Sequence, residues 1–178
     1  MESVLFRPNL PRVVIKSPTT RVSIPDMAVH VIQHSQVIRA GITRAWDFFS
    51  DPRNLARITP PDLDFKVLTD LPERIYPGMM IEYRVRPLLG IPARWVTEIM
   101  HVEPGRFFVD EQRIGPYRIW HHEHRFAEIS EGQTEISDRV TYVLPFGPFG
   151  EWIHPWIVKP QLAKIFSFRE KAVAEIFR

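Results

Sequence analysis

The chain has 178 residues, enough for one domain with a sizeable core, and its 44% hydrophobic and 12% aromatic content is rich for a globular protein. No apolar run approaches the roughly 20 residues that span a bilayer, which excludes an integral membrane segment, and with no Cys the chain lacks disulfides, thiol catalysis and Cys-ligated zinc and fits a reducing, cytoplasmic setting. The formal charge of +2 comes from the first 26 residues, where Arg7, Arg12, Lys16 and Arg21 face Glu2 and Asp26; the remainder balances at 19 basic against 19 acidic, so the basic pI of 9.1 is no sign of a nucleic-acid partner.

Residues 1–26 carry Pro8, Pro11, Pro18 and Pro25 among Ser and Thr without sustained periodicity, which predicts a flexible leader rather than a secretory signal or a helical transit peptide. Met27 opens the patterned part and stands as an alternative start, so the expected division is a leader over 1–26 and one domain over 27–178. Val29 to Ile38 alternates as a strand. Thr43 is the expected N-cap of a short helix through Phe49 that Asp51-Pro52 closes, and a second short helix over Asn54 to Ile58 stops at Pro60-Pro61. Six more strands follow, over Asp64 to Thr69, Met80 to Arg86, Arg94 to Val102, Arg106 to Arg113, Arg118 to Glu128 and Glu135 to Leu144, separated by Gly- and Pro-bearing turns. Links this short predict an antiparallel meander.

The C-terminal stretch places Val158, Leu162, Ile165, Phe166, Val173, Ile176 and Phe177 at three-and-four spacing, a long amphipathic helix that needs a sheet to lie on. Pro160 has no N–H to give, so the helix is expected to begin, kink or break there. Ahead of it, Phe146, Phe149, Trp152 and Trp156 on a Gly-rich loop are expected to cap the mouth of the sheet; the alternative is a gate or a surface patch that touches a membrane or a partner.

Strand alternation sorts the candidate site residues. Trp120, His122, His124 and Phe126 share one face, and the aromatics mark it as inward; Asp138, Val140 and Tyr142 share a face of the last strand, so Asp138 also turns inward and needs a partner such as an imidazole. Tyr83 and Trp95 read as core or cavity wall, while apolarity does not decide whether Phe108, Asp110 and Gln112 or their alternates Phe107, Val109 and Glu111 point in. Three readings compete for His122, His124 and Asp138: a satisfied hydrogen-bond network, recognition or acid-base work on a bound molecule, and a metal site, for which no third ligand stands at diagnostic spacing.

Phe48-Phe49-Ser50-Asp51-Pro52-Arg53-Asn54-Leu55-Ala56-Arg57-Ile58-Thr59-Pro60-Pro61, Phe108-Val109-Asp110-Glu111-Gln112, Gly115-Pro116-Tyr117, Trp120-x-His122-x-His124-x-Phe126 and Asp138-Arg139-Val140-x-Tyr142-x-Leu144-Pro145 together resemble the bacterial ligand-binding members of the START, Bet v 1 and polyketide-cyclase (SRPBCC) superfamily, from about residue 28 to the end. The resemblance implies an α+β helix-grip fold: a curved seven-stranded antiparallel sheet, two short helices and a long C-terminal helix over a cavity for apolar small molecules. The residues that the strand and helix patterns direct toward such a cavity, and so the expected ligand-binding set, are Tyr83, Trp95, Phe108, Asp110, Gln112, Trp120, His122, His124, Asp138, Tyr142 and Phe166, with no cofactor and no metal expected. With no nucleophile motif or phosphate-binding loop, the expected function is binding of a hydrophobic lipid, isoprenoid or polyketide-like molecule. The alternatives are a cyclase or hydratase using His122 or His124 with Asp138 for proton transfer, and an interaction protein acting through the Trp152 to Trp156 surface.

Overall fold

A computed structural model of the chain describes residues 14–16, 28–88 and 90–178. The elements run β1 (Val14–Lys16), β2 (His30–Ile38), α1 (Ile42–Phe49), two 3-10 turns (Pro52–Ile58 and Pro61–Leu63), β3 (Lys66–Val67), β4 (Met80–Leu88), β5 (Ile91–Glu103), β6 (Phe107–Ile114), β7 (Ile119–Ser130) and β8 (Gln133–Val143). A helical stretch follows without interruption: α2 (Gly147–Ile153), a π-helical turn (His154–Val158) and α3 (Lys159–Ile176). The strands form one antiparallel sheet in the order β1-β2-β8-β7-β6-β5-β4-β3. Seven of them are the strands the alternation predicts. The eighth, β1, pairs Val14 to Lys16 with Gln33 to Val31 inside the stretch read as a leader; the rest of that reading falls outside the described residues.

Local detail departs from expectation in two places. Helix α1 begins one residue before Thr43, with Gly41 extended at its N-cap, because Ala45 N–H already donates to Gly41 O at 3.1 Å. The strand expected over Asp64 to Thr69 pairs regularly only at Lys66–Val67; beyond it the Thr69 side chain, not its backbone, meets Glu82 N–H. Near Pro160 the expectation holds: the regular helix α3 begins at Lys159, which puts the proline at its second position, and the coil that runs into it from α2 is π-helical. The π turn widens the coil just ahead of it, and such a turn accommodates a ring that would otherwise clash with the carbonyl four residues back and leave that carbonyl without a donor.

Helix α3 lies in the concave face of the sheet and divides the core. Its last turns set Val173 and Phe177 in a cluster with Trp46, Phe49, Phe108 and Phe126, while Val158, Leu162 and Phe166 join Ile32, Trp95, Tyr117, Val140 and Tyr142 in a second. Ile165, on the expected stripe, is only half-buried. The aromatic segment does not cap anything: Phe146, Phe149, Trp152 and Trp156 are 77%, 60%, 69% and 77% exposed. The helical turn that carries them buries its other side, the side it shares with Gly150 and Val158, and three-and-four spacing leaves these rings in solvent.

What ties this segment down is a small polar clasp. Tyr142 Oη, in β8, donates to His154 Nε2 at 2.8 Å, the His154 ring stacks on His30 of β2 at 4.0 Å, and His30 Nε2 lies 2.8 Å from Glu151 Oε2. Burial, and next the charge of His30, push the His154 pKa down to about 4. His154 therefore stays neutral in the folded protein at pH values where the unfolded chain, near its ordinary 6.5, takes up a proton. Stability is expected to fall as the pH drops from about 6.5 to about 4, and the urea midpoint of His154→Gln, which keeps an acceptor for Tyr142, to fall less across that window. Equal slopes for the two proteins would show that the clasp does not titrate.

Candidate functional site

Between the sheet and α3 lies a cavity of about 200 Å³. Its floor is the inward face of β4 and β5 (Ile81, Tyr83, Val85, Trp95, Thr97, Ile99), its roof is Leu162, Ile165, Phe166 and Arg169 of α3, and the 3-10 turns after α1 close its end with Pro52, Leu55, Ile58 and Leu63. Asp51, Asn54, Leu55, Thr59, Phe65 and Ile165 are among the lining residues that keep some solvent exposure. The volume exceeds the roughly 150 Å³ of an apolar cavity that holds benzene, so a molecule of one or two rings fits.

One wall is polar, and strand register builds it. His34 of β2, Asp138 of β8, His124 of β7 and Phe108 of β6 form one row across the sheet; Ile32, Val140, His122 and Asp110 form the next. All point to the same face, and the contacts between the two rows run diagonally. His122 Nε2 donates to Asp138 Oδ1 at 3.1 Å, and His124 Nε2 lies 2.9 Å from Asp110 Oδ2. The other nitrogen of His124 is 2.8 Å from the same Asp138 Oδ1. Above them, Arg169 Nη2 of α3 is 3.3 Å from Asp138 Oδ1. His34 Nδ1 reaches within 3.9 Å of Asp138 Oδ2 and its Nε2 within 3.3 Å of Glu170 Oε2, and Gln36 donates to the Glu170 backbone carbonyl at 2.9 Å, so β2 grips the helix at the same level.

The electrostatics follow from burial and these pairings. Burial works to raise the Asp138 pKa, but the Arg169 charge and then the hydrogen bonds from His122 and His124 outweigh it and hold the carboxyl well below its usual range. Burial likewise opposes ionised Asp110, and the bond from His124 overcomes it. The two imidazoles part ways: burial, and then the neighbouring His124, push His122 down, whereas for His124 the hydrogen bonds to Asp110 and Asp138 overcome burial and lift it. With His124 protonated and His122 neutral, two carboxylates meet one imidazolium and one guanidinium, and the buried cluster is electrically neutral. Tyr83, which bonds Thr97 Oγ1 at 2.7 Å, is held in its neutral form by burial and by the Asp110 charge.

Of the residues the sequence points to, Tyr83, Trp95, Phe108, Asp110, Trp120, His122, His124 and Phe166 line the cavity. Three do not. Asp138 stands behind the two imidazoles with its side chain 3% exposed. Gln112 braces a turn, its amide donating to Tyr117 O at 2.6 Å and accepting from Tyr117 N–H at 3.2 Å. Tyr142 is fully buried and belongs to the His154 clasp. The alternates Phe107 and Glu111 lie on the other face, where Glu111 meets His121 at 2.8 Å and Arg113 at 3.2 Å. Sequence reasoning missed Arg169. The signal was present: Leu162, Phe166, Arg169 and Val173 are spaced four, three and four, so a charged residue fills a slot on the buried stripe. Asp110, His122 and His124 are also the residues that could hold a metal ion, one ligand atom from each lying within 4.8 Å of the others.

Arg169→Met should cost about 3 kcal/mol, because it leaves the Asp138 carboxylate with imidazole partners alone. Adding Asp138→Asn should recover part of that loss in a double-mutant cycle. Additive losses in chemical denaturation would show that the two groups act independently.

The chain matches no family model and no curated protein. Solved structures do match. An aromatase/cyclase from Streptomyces sp. R1128 superposes with a TM-score of 0.66 at 14% identity, covering 83% of this chain and 92% of that one. A truncated norcoclaurine synthase from Thalictrum flavum gives 0.59 at 16%, covering 86% and 99%. A protein from Mycobacterium smegmatis gives 0.60 at 18%, covering 82% and 89%. At these identities it is the fold that is shared, over most of each chain: a helix-grip fold, with a long C-terminal helix lying on an antiparallel sheet.

Proposed function

We propose that the protein binds a hydrophobic small molecule of one or two rings, carrying one polar group, in the cavity between the sheet and α3. The observation that carries this reading is the asymmetry of the cavity: aromatic and aliphatic side chains on most sides, and on one wall Asp110, His122 and His124 with Arg169 above them. An apolar site with a few convergent polar groups orients a ligand rather than merely filling a core. The names of two structural neighbours, an aromatase/cyclase and a norcoclaurine synthase, support a small organic ligand and are compatible with a cyclase-type reaction; retention of the bound molecule unchanged is the reading adopted here. The absence of Cys fits a cytoplasmic protein.

The test uses 1-naphthol as the probe. At a concentration of about 100 times its Kd, a molecule that binds only the folded state adds about 2.7 kcal/mol of stability. The thermal midpoint should rise saturably with 1-naphthol, and Ile81→Trp, which places a large ring in the cavity, should abolish the rise. No rise with 1-naphthol or its one-ring analogues, or a rise that survives Ile81→Trp, refutes cavity binding. Turnover of the bound probe would favour the cyclase-type alternative.

A second reading rests on a separate observation, the stripe Phe146, Phe149, Trp152 and Trp156 with Lys159 at its end. Phe146 even adopts φ 67°, a left-handed conformation unfavourable for a side chain, while its ring stays in solvent. At roughly 200 Å² per aromatic ring the stripe offers about 550 Å², short of the roughly 800 Å² per partner of a standard protein interface. Trp and Phe on one helix face, with a Lys and no carboxylate among them, suit the surface of an anionic bilayer. The protein should sediment with phosphatidylserine-containing vesicles more than with phosphatidylcholine ones, and Trp152→Ala with Trp156→Ala should weaken this by at least about tenfold. Protein left in the supernatant, or a variant that sediments equally, refutes membrane docking.

A further inference from the structure

The polar wall brings nitrogen and oxygen ligand atoms of three residues to one point at the cavity. Asp138 is buried behind the two imidazoles, and one of its carboxylate oxygens is within reach of both rings. Its Oδ1 sits 3.1 Å from His122 Nε2 and 2.8 Å from His124 Nδ1. A lone pair at either distance would be repelled, so each imidazole turns a proton toward Asp138. Arg169 Nη2, which lies 3.3 Å from His124 Nδ1, then serves the carboxylate, from which it is also 3.3 Å distant. Both rings are thereby left with their other nitrogens, His122 Nδ1 and His124 Nε2, directed away from Asp138. Those nitrogens face Asp110 Oδ2, at 3.8 Å and 2.9 Å. Two imidazole nitrogens and a carboxylate oxygen thus converge on one point at the cavity wall, where the proton that His124 Nε2 gives to Asp110 Oδ2 is the one an ion would displace.

A metal ion can stand where that shared proton lies, held by the same atoms. From this geometry we infer that Asp110 Oδ2, His122 Nδ1 and His124 Nε2 form a binding site for a divalent first-row transition-metal ion, open to the cavity. The inference deepens the proposed ligand-binding function, since the ion would hold the polar end of the cavity ligand. The three ligand atoms lie within 4.8 Å of one another. Metal bonds of about 2.0–2.2 Å set ligand atoms roughly 3–3.5 Å apart, so closing on an ion takes side-chain movements on the order of half an ångström. The donor set, two imidazoles and a carboxylate, suits Zn²⁺, Fe²⁺ or Co²⁺ and excludes the all-oxygen environments that Ca²⁺ and Mg²⁺ prefer.

The surroundings fit the same assignment. A metal-binding histidine gives its second N–H to an outer carboxylate that fixes tautomer and ring orientation. Asp138 does this for both rings at once. Register makes it possible: Asp138 lies directly across from His124 and one diagonal step from His122. Arg169, in the cavity roof, balances Asp138 at 3.3 Å and is not among the ligands. All three ligand residues line the cavity while Asp138 does not, so a fourth coordination position would face the ligand space. Three protein ligands with an open position mark a site that binds or activates a molecule, whereas structural zinc sites are closed by four.

The ion can be tested without any apolar ligand, so the outcome is independent of the 1-naphthol experiment. Protein dialysed against EDTA and then against buffer is titrated with Co²⁺ while visible d–d absorption is followed, and Zn²⁺ is added to displace it. One equivalent of Co²⁺ should develop a d–d spectrum that one equivalent of Zn²⁺ removes. His124→Gln should lose it, and Asp110→Asn, a nearly isosteric change at the less buried ligand, should lose or shift it in a protein whose folding is confirmed by circular dichroism. Asp138→Asn tests the positioning role: the spectrum should persist while affinity falls about 10- to 100-fold. No d–d spectrum at one equivalent, or one that Asp110→Asn leaves unchanged, overturns the assignment.

Discussion

The ionised carboxylate of Asp138, 3% exposed in the middle of the interface between sheet and helix, is the constraint on which the rest of the structure depends. Moving such a group out of water costs several kcal/mol even after relaxation, so the fold has to bring partners to it from every side. It does so with two strands and the helix: His34 from β2, His122 and His124 from β7, Arg169 from α3. Because the strand partners are set by register, a slip of one residue in β7 or β8 would turn the imidazoles or the carboxylate to the opposite face. The polar cluster therefore selects one pairing of the last strands as effectively as the apolar residues around it do.

The same cluster fixes the helix. Leu162 and Phe166 on one side of Arg169, and Val173 and Phe177 on the other, enter two different apolar clusters. Sliding the helix by one turn would keep apolar residues on the sheet but would move the guanidinium away from Asp138. Gln36 and His34, which hold Glu170, resist the same motion. At the other end the His30, Glu151, His154 and Tyr142 clasp secures the turn ahead of Pro160. With helix position and sheet register both pinned by polar contacts, the space between them need not be filled with side chains to keep the fold in place, and a cavity persists there.

How much of this was legible in the sequence depended on the range of the signal. Strand alternation is local, and it gave the seven strands and the inward face of Trp120, His122, His124 and Asp138. The meaning of Asp110 was not local: Phe108, Asp110 and Gln112 hold one apolar residue and their alternates Phe107, Val109 and Glu111 two, a difference that does not identify the cavity face, and only the pairing of Asp110 with His122 across β6 and β7 decides the matter. Gln112 and Tyr142 sit on the inward faces, as alternation implies, yet their polar atoms are engaged by Tyr117 and His154, contacts that depend on the turn and on the helix. Arg169 went unnoticed because its neighbours mark a stripe as apolar by majority, and the minority residue is the informative one. Strand β1 has no periodic signal of its own; it forms on the edge that β2 presents. The aromatic run before α3 was misjudged for a related reason, since hydrophobicity predicts a preference for burial but not whether the fold supplies a surface to bury against.

Stability alone would not place charges where this fold places them. The clusters on either side of the polar wall are dense in Phe, Trp, Ile and Val, and replacing a buried ion network by apolar residues of similar volume is often neutral or stabilising by about 1–4 kcal/mol. An apolar pair in place of Asp110 and His122 would extend the core across the cavity wall at no cost in register, because the flanking rows already specify it. The arrangement is also asymmetric in a way that structural networks need not be: Asp138, the most deeply held group, is turned away from the cavity, and Asp110, the one with fewer partners, is turned toward it. Full satisfaction on the buried side and spare accepting capacity on the open side are what a site needs if it is to keep its geometry while a bound species comes and goes.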